Sequence, residues 1–438
     1  MSTIRDDLIK TAYRKLKSHI YYDNSNIFLK TKIAEFEKLN AGEKLNDVLM
    51  AKFKRLEKDI EDYTKGNTAN IDELLKSINY RILPKKFKNF KTPEGIFFFK
   101  GSNNSNVNIA EKYNIFIDCP IELHIIDVMW IMKIGEKVDR RLDSSCYANR
   151  LFRNIDEDSG ATEFNENKIR LFRNYKEAYP EWRDEAIKKA KALHAEELDV
   201  CFVNLDIKEY FYSIDFDFSL LNDFFKAAEN EEDKPSPEYE FLSAIVSKIH
   251  SSFREKCLAE DQYYAETYKG RKFLPISLLS SGILANLYLN KYDKKIISEV
   301  KPAFYGRYVD DIIFVLCNPK IDTKKSDIIE ADIYKVLDAL GIVKCNDEKA
   351  NQDEPIEHKI LKKYFNSHDL PDGSKSNGVE LRFKDADFKN LQLQSTKVKV
   401  YYFDKYDSIA ILKEFETIIQ KMLASSITKQ TKMIYLQI

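Results

Sequence analysis

The chain opens on a helical pattern. Ile4, Leu8, Ala12, Leu16 and Ile20 recur on one face of a 3.6-residue period, with Lys, Arg and Asp elsewhere, and predict an amphipathic helix. A second helix is predicted over residues 31–63, Gly66-Asn67-Thr68 punctuates it, and Asn70-Ile71-Asp72-Glu73-Leu74 begins a shorter one. Over residues 82–106 the pattern changes to short β-prone runs, closing in the loop Gly101-Ser102-Asn103-Asn104-Ser105-Asn106. Residues 121–153 read as helix with a break at Gly135, leading into a turn at Ser144-Ser145-Cys146-Tyr147-Ala148-Asn149-Arg150. Residues 172–197 are helical again and rich in Lys, Arg and Glu.

Next, Val200-Cys201-Phe202-Val203-Asn204-Leu205 runs straight into Asp206, as a buried strand delivering an acid to the end of a sheet would. Helices are predicted over 219–228 and 238–255, separated by the acidic, Pro-containing loop 229–237. The turn Leu274-Pro275-Ile276-Ser277-Leu278-Leu279-Ser280-Ser281-Gly282 leads into a helix over 283–300. Then Tyr305-Gly306-Arg307-Tyr308-Val309-Asp310-Asp311-Ile312-Ile313-Phe314-Val315-Leu316 reads as two strands joined by a tight turn. Beyond it come an amphipathic helix over 328–340 and a turn into a short strand that carries Lys349. Residues 391–394 and 397–401 alternate as a two-strand element with a basic face. The C-terminal residues read as helix. Ile438 follows no helix stop signal, so the natural chain is expected to continue.

Length changes this picture little: 438 residues favour two or three domains and a sizeable core. The most apolar stretch, 115–134, is interrupted by Asp118, Glu122, His124, Asp127 and Lys133, which argues against a membrane span. No apolar segment follows Met1 as a signal peptide would. The six cysteines are scattered without CxxC spacing and fit reduced thiols in a cytoplasmic protein. A net charge of −1 hides local asymmetry. Between residues 81 and 100, Arg81, Lys85, Lys86, Lys88, Lys91 and Lys100 face only Glu94 and are interleaved with Phe87, Phe90 and Phe97 to Phe99. That mixture suits phosphate contact and base stacking, and equally a solvated edge over core phenylalanines. Arg150, Arg170, Arg173 and Arg183 could face a triphosphate, or serve as ordinary ion-pair partners.

The adjacent acids carry the sharpest chemistry. In a strand Asp310 and Asp311 would point to opposite faces, so a turn is needed to keep both near one cleft. Two carboxylates about 4 Å apart repel by roughly 4 kcal/mol at an effective dielectric of about 20, so the pair wants a cation. Mg2+ takes carboxylate oxygens and leaves positions for water and phosphate. Alone, the pair would pass for a solvated hairpin turn.

Three stretches in order change that: a strand ending in Asp206, a turn-helix over 274–289, and the Asp310-Asp311 hairpin. Together they closely resemble motifs A, B and C of the reverse-transcriptase palm, with Phe211 at the aromatic place five residues past the first acid. Residues 341–349 look like motif D and 391–401 like the primer grip, so the resemblance spans about residues 82–403. It implies an α+β right-hand polymerase, with a helical N-terminal extension (1–80), fingers (81–199), palm (200–385), and primer-grip strands with the start of a helical thumb or C-terminal domain (386–438).

The implied activity is nucleotidyl transfer with two Mg2+ (or Mn2+) ions about 3.5–4 Å apart. Asp206 and Asp310 would bridge the ions, Asp311 would be an auxiliary ligand, and the carbonyl of Ile207 would complete the shell. Lys349 would protonate the leaving pyrophosphate. Phe211 would fill the space of a ribose 2′-hydroxyl and favour dNTPs. Ser281, Arg150 and Arg170 are expected at the nucleotide, and Tyr308, Lys397 and Lys399 at the primer or nucleic acid.

One departure stands out. Pro275-Ile276-Ser277 occupies the place where intron and retroelement enzymes usually carry Pro-Gln-Gly, and Ile276 cannot make an amide's hydrogen bonds. The altered motif B, the helical N-terminus and the stretch from 121 to 150 resemble the prokaryotic unknown-group and abortive-infection reverse transcriptases. That resemblance implies antiphage defence, with a partner non-coding RNA as template or template-independent synthesis primed from a protein hydroxyl, and a possible homo-oligomer. Rival readings are an RNA-dependent RNA polymerase, which Phe211 disfavours, and a degenerate palm that only binds nucleic acid, which three intact acids disfavour. A metal-dependent nuclease would want a base near the acids, and His250 and His358 lie outside all three motifs.

Overall fold

In the computed structural model the described residues are 6–22, 26–87, 110–155, 162–318, 365–368, 380–383, 385–394, 397–407, 410–417 and 419. The first predicted helix is α1 (Asp6–Tyr22), and its Leu8, Ala12, Leu16 and Ile20 are buried as the periodicity requires; Ile4 lies outside the described residues. The single helix expected over 31–63 is two, α2 (Ile27–Phe36) and α3 (Leu45–Thr64). Leu39 and Leu45 kept the apolar spacing alive across the junction, yet both are exposed, and Gly42 turns the chain at φ +88°. α4 (Ala69–Lys76) completes this layer, and α1 packs on a central helix, α5 (Ile121–Trp130).

Between them, β1 (Asn79–Phe87) and β2 (Ala110–Asp118) pair antiparallel. The basic-aromatic run beyond Phe87 lies outside the described residues. Gly135 is not a break. α5 continues through a π-helical turn, Ile131–Gly135, into α6 (Glu136–Arg140). A Cβ on Gly135 would come within 3.0 Å of Ile283, so the glycine admits a neighbouring helix. A short pair follows, β3 (Asn154–Ile155) and β4 (Thr162–Glu163), then α7 (Tyr175–Ala195), capped by the Asn174 side chain.

The central sheet begins with β5 (Val200–Asp206). Five helices follow it: α8 (Tyr210–Ser213), α9 (Ser219–Lys226), α10 (Glu240–Glu260), α11 (Gln262–Thr267) and α12 (Leu279–Glu299). The hairpin is β6 (Phe304–Tyr308) and β7 (Asp311–Cys317). Beyond it are β8 (Phe365–His368), β9 (Glu380–Phe383), β10 (Gln392–Leu393) and β11 (Lys399–Phe403). The expected two-strand element of 391–401 does not pair with itself. β10 joins β9 and β8, whereas β11 joins the central sheet, whose order is β11-β5-β7-β6 with every neighbour antiparallel.

Both faces of this sheet are covered, which is why β5 and β7 read as continuous apolar runs. Cys201, Val203, Leu205, Ile312, Phe314 and Leu316 face a core shared with α5, α10 and α12. Val200, Phe202, Ile313 and Val315 face α7 and the helical residues 410–417. The described chain is thus α+β, mostly helical with antiparallel sheets, and none of its described helices is long and apolar enough to cross a membrane.

Candidate active site

The register of the central sheet brings the acids together. Asp206, the last residue of β5, pairs directly with Asp311, the first of β7, and Asp310 sits in the turn between β6 and β7. Val309 makes that turn possible with left-handed backbone at φ +58°, a conformation that a β-branched residue adopts only under constraint. Main-chain bonds clamp the arrangement. The Ile207 N–H donates to the Asp310 carbonyl (2.9 Å), and the Gln394 N–H donates to the Asp206 carbonyl (2.7 Å). The Lys208 N–H donates to the Gln392 carbonyl (2.8 Å), so the segment around β10 is tied to the chain just past Asp206.

Charge is concentrated here. Asp206 is buried, and Lys397 Nζ lies 2.7 Å from its Oδ2. Burial, then the charges of Asp310 and Asp206, push the Asp311 carboxyl well above its usual range, against the pull of Lys397. Burial works against the charged Lys397, but its bond to Asp206 and the charges of the three acids outweigh it and raise its pKa. Lys399, paired with Asn204 in the neighbouring strand, is lowered by burial despite the charge of Asp311.

Beneath the turn lies a polar network that sequence reading missed. Arg307 is fully buried and grips Asp293 of α12 through Nη2 at 2.7 Å. It also donates to Asn286 Oδ1 and to the Val309 carbonyl, each at 3.1 Å, while Tyr305 donates to Asp293 (2.5 Å). The signal was available: an arginine inside an apolar strand needs an acid, and Asp293 is the buried acid of α12. The residue behind the acids is aromatic. Tyr308 packs edge-on against Tyr179 (4.8 Å) and beside Trp182 (5.7 Å), and burial raises its hydroxyl pKa. A Cβ on Gly306 would meet Trp182 at 2.8 Å, so only glycine lets α7 approach β6 this closely.

The turn before α12 is pinned from two sides. Ile117 of β2 donates to the Ile276 carbonyl (3.0 Å), and the Asn26 side chain donates to the Ser277 hydroxyl. Ser277 itself is left-handed at φ +80°. In the first turn of α12, the Ser281 hydroxyl is buried with no partner among the described residues, and a Cβ on Gly282 would strike Asn149 at 2.8 Å. Phe211 is half-buried, its ring 6.0 Å from that of Tyr210. Tyr210 is core, its hydroxyl donating to the Ala285 carbonyl (2.7 Å).

The arginines are occupied. Arg150 donates to Asp139 Oδ1 (2.9 Å) and to the carbonyls of Asp139, Asp143 and Cys146, bracing the loop behind the hairpin. Arg170 pairs with Glu177 (2.8 Å) over the ring of Phe152. Lys349 lies outside the described residues. Of the expected site residues, Asp206, Ile207, Asp310, Asp311, Tyr308, Lys397 and Lys399 therefore gather at one end of the central sheet. Ser281 and Phe211 belong to the elements between β5 and β6.

No known family model matches the chain. No curated protein matches it either. Its chemistry is read from the site. Among the described residues no three His, Cys, Asp or Glu groups close on one point as a finished metal cage. The donor set still suits a hard divalent cation, because its side chains offer only carboxylate oxygen and already draw an ammonium onto Asp206.

Proposed function

We propose that the chain is a DNA polymerase of the reverse-transcriptase kind, joining dNTPs by two-metal nucleotidyl transfer on a palm formed by the central sheet. The observation that carries this is the pairing of Asp206 with Asp311, with Asp310 in the turn beside them. The order β11-β5-β7-β6 supports it too, since β5 and β6 run the same way on either side of β7, the arrangement of a split β-α-β palm. Asp206 and Asp310 would hold the ions, with Asp311 and the Ile207 carbonyl completing the shell. Bound Mg2+ or Mn2+ would stabilise charge on the attacking and leaving oxygens. The clamps from Ile207 and Gln394 hold the acid-bearing main chain in place before any ligand arrives. Phe211 would stand against the sugar and exclude a 2′-hydroxyl. The resemblance to unknown-group and abortive-infection enzymes supports antiphage defence as the setting, with a non-coding RNA template or untemplated synthesis.

The test is incorporation of labelled dNTPs by purified protein with Mg2+ and no added template, beside Asp310→Ala and an RNase-treated sample. Label in the wild type that disappears in Asp310→Ala is the expected result. Loss after RNase would identify a co-purifying RNA template, and survival would identify untemplated or protein-primed addition. Label that persists in Asp310→Ala, or none with dNTPs or NTPs under any condition, would overturn the polymerase and favour a palm that only binds nucleic acid.

A further inference from the structure

Lys397 was expected to face nucleic acid, yet its ammonium sits on the acid that would hold both ions. The contact is direct, 2.7 Å from Nζ to Asp206 Oδ2, and Asp310 and Asp311 add their charge to it. Lys397 therefore offsets part of the charge at the acidic end of the sheet. Asp206 does not depend on it for its position. The carbonyl of Asp206 is fixed by the Gln394 N–H, and the next residue, Ile207, is fixed by the Asp310 carbonyl. The lysine side chain is 54% exposed, so it can swing into solvent without moving the main chain just before β11. Next to it, Val398 is buried and anchors that segment.

We propose that Lys397 is an internal counter-ion of the carboxylate site and is exchanged for a divalent cation when metal binds. The proposal rests on the two-metal reading given above. An acid that holds two ions would give both of its oxygens to them, so metal entry would displace the ammonium from Oδ2, and the lysine would weaken metal binding while offsetting the repulsion among the acids. Once released, the ammonium is tethered at the edge of the site, where an incoming phosphate would meet it.

Mn2+ binding to the full chain without nucleotide, read from the electron paramagnetic resonance of free Mn2+, tests this. Lys397→Met keeps the length and removes the charge, Lys397→Arg keeps the charge, and Asp310→Asn removes a carboxylate. Circular dichroism checks that each variant folds. The expected result is Mn2+ affinity roughly five- to tenfold tighter in Lys397→Met, little change in Lys397→Arg, and loss in Asp310→Asn. Unchanged or weaker affinity in Lys397→Met, or equal tightening in Lys397→Arg, overturns the exchange while leaving the metal site standing. Absence of Mn2+ binding in every form overturns both.

Discussion

Val309 and Ser277 hold left-handed backbone at the two turns that shape the site, at φ +58° and φ +80°. Neither is glycine, and each such residue costs about 1–2 kcal/mol that surrounding contacts must offset. At Ser277 those contacts are visible: Asn26 on its hydroxyl and Ile117 on the preceding carbonyl. Ser277→Gly should relieve the strain while losing the hydroxyl, whereas Ser277→Ala should lose the hydroxyl and keep the strain. The glycine variant should therefore be the more stable of the two by about 1 kcal/mol in urea melts; equal stability would mean that the left-handed turn is not maintained in solution. At this scale the three aspartates were legible, because each ends or interrupts an apolar run and the three such stretches occur in one order along the chain. The strain at Ser277 was not. In the sequence the departure from Pro-Gln-Gly turned on Ile276, and the asparagine that supports Ser277 lies 251 residues earlier in the chain.

Among the elements, β6 and α12 are joined by a buried ion pair. Arg307 and Asp293 have side-chain exposures of 0% and 1%. Removing one partner of such a pair strands the other, typically at a cost of about 3–5 kcal/mol, whereas an apolar replacement of both is far milder. Asp293→Ala should fall in that range in chemical unfolding, and Arg307→Met with Asp293→Leu should recover at least half of the loss. No recovery would show that the bonds from Arg307 to Asn286 and Val309 matter more than the ion pair. Element types were read well where the period was clear, as for α1, α7 and the β6–β7 hairpin. They failed where pairing decides. The alternating residues of 391–401 looked like a two-strand element, but β10 pairs with β9 and β11 with β5, in different sheets. The basic residues expected there are Lys397, just before β11, and Lys399, its first residue.

Across the whole molecule, α5 and α12 meet at a buried acid, Asp127, whose Oδ2 accepts from the Ser280 N–H (3.1 Å). Its other oxygen has no partner among the described residues, and burial raises its pKa to about 7. The folded protein then holds a proton that the unfolded chain releases near pH 4, so this group's contribution is complete below about pH 4 and is lost as the pH rises through about 7. Asp127→Asn should remove that dependence. Against wild type, its relative stability should rise between about pH 4 and 7 by on the order of 4 kcal/mol and then level off, read from melts across the range. Parallel curves would show that Asp127 is already ionised or hydrated. The sequence by itself determined most of the helices, the apolar strands β5 and β7, and the acids set at their ends, because these follow from local period and from charge set in apolar runs. Only the tertiary structure decided that Asp206 faces Asp311, that β11 closes the central sheet, and that Lys397 reaches Asp206. Those depend on register and edge pairing between segments far apart in the chain, where no local pattern specifies the partner.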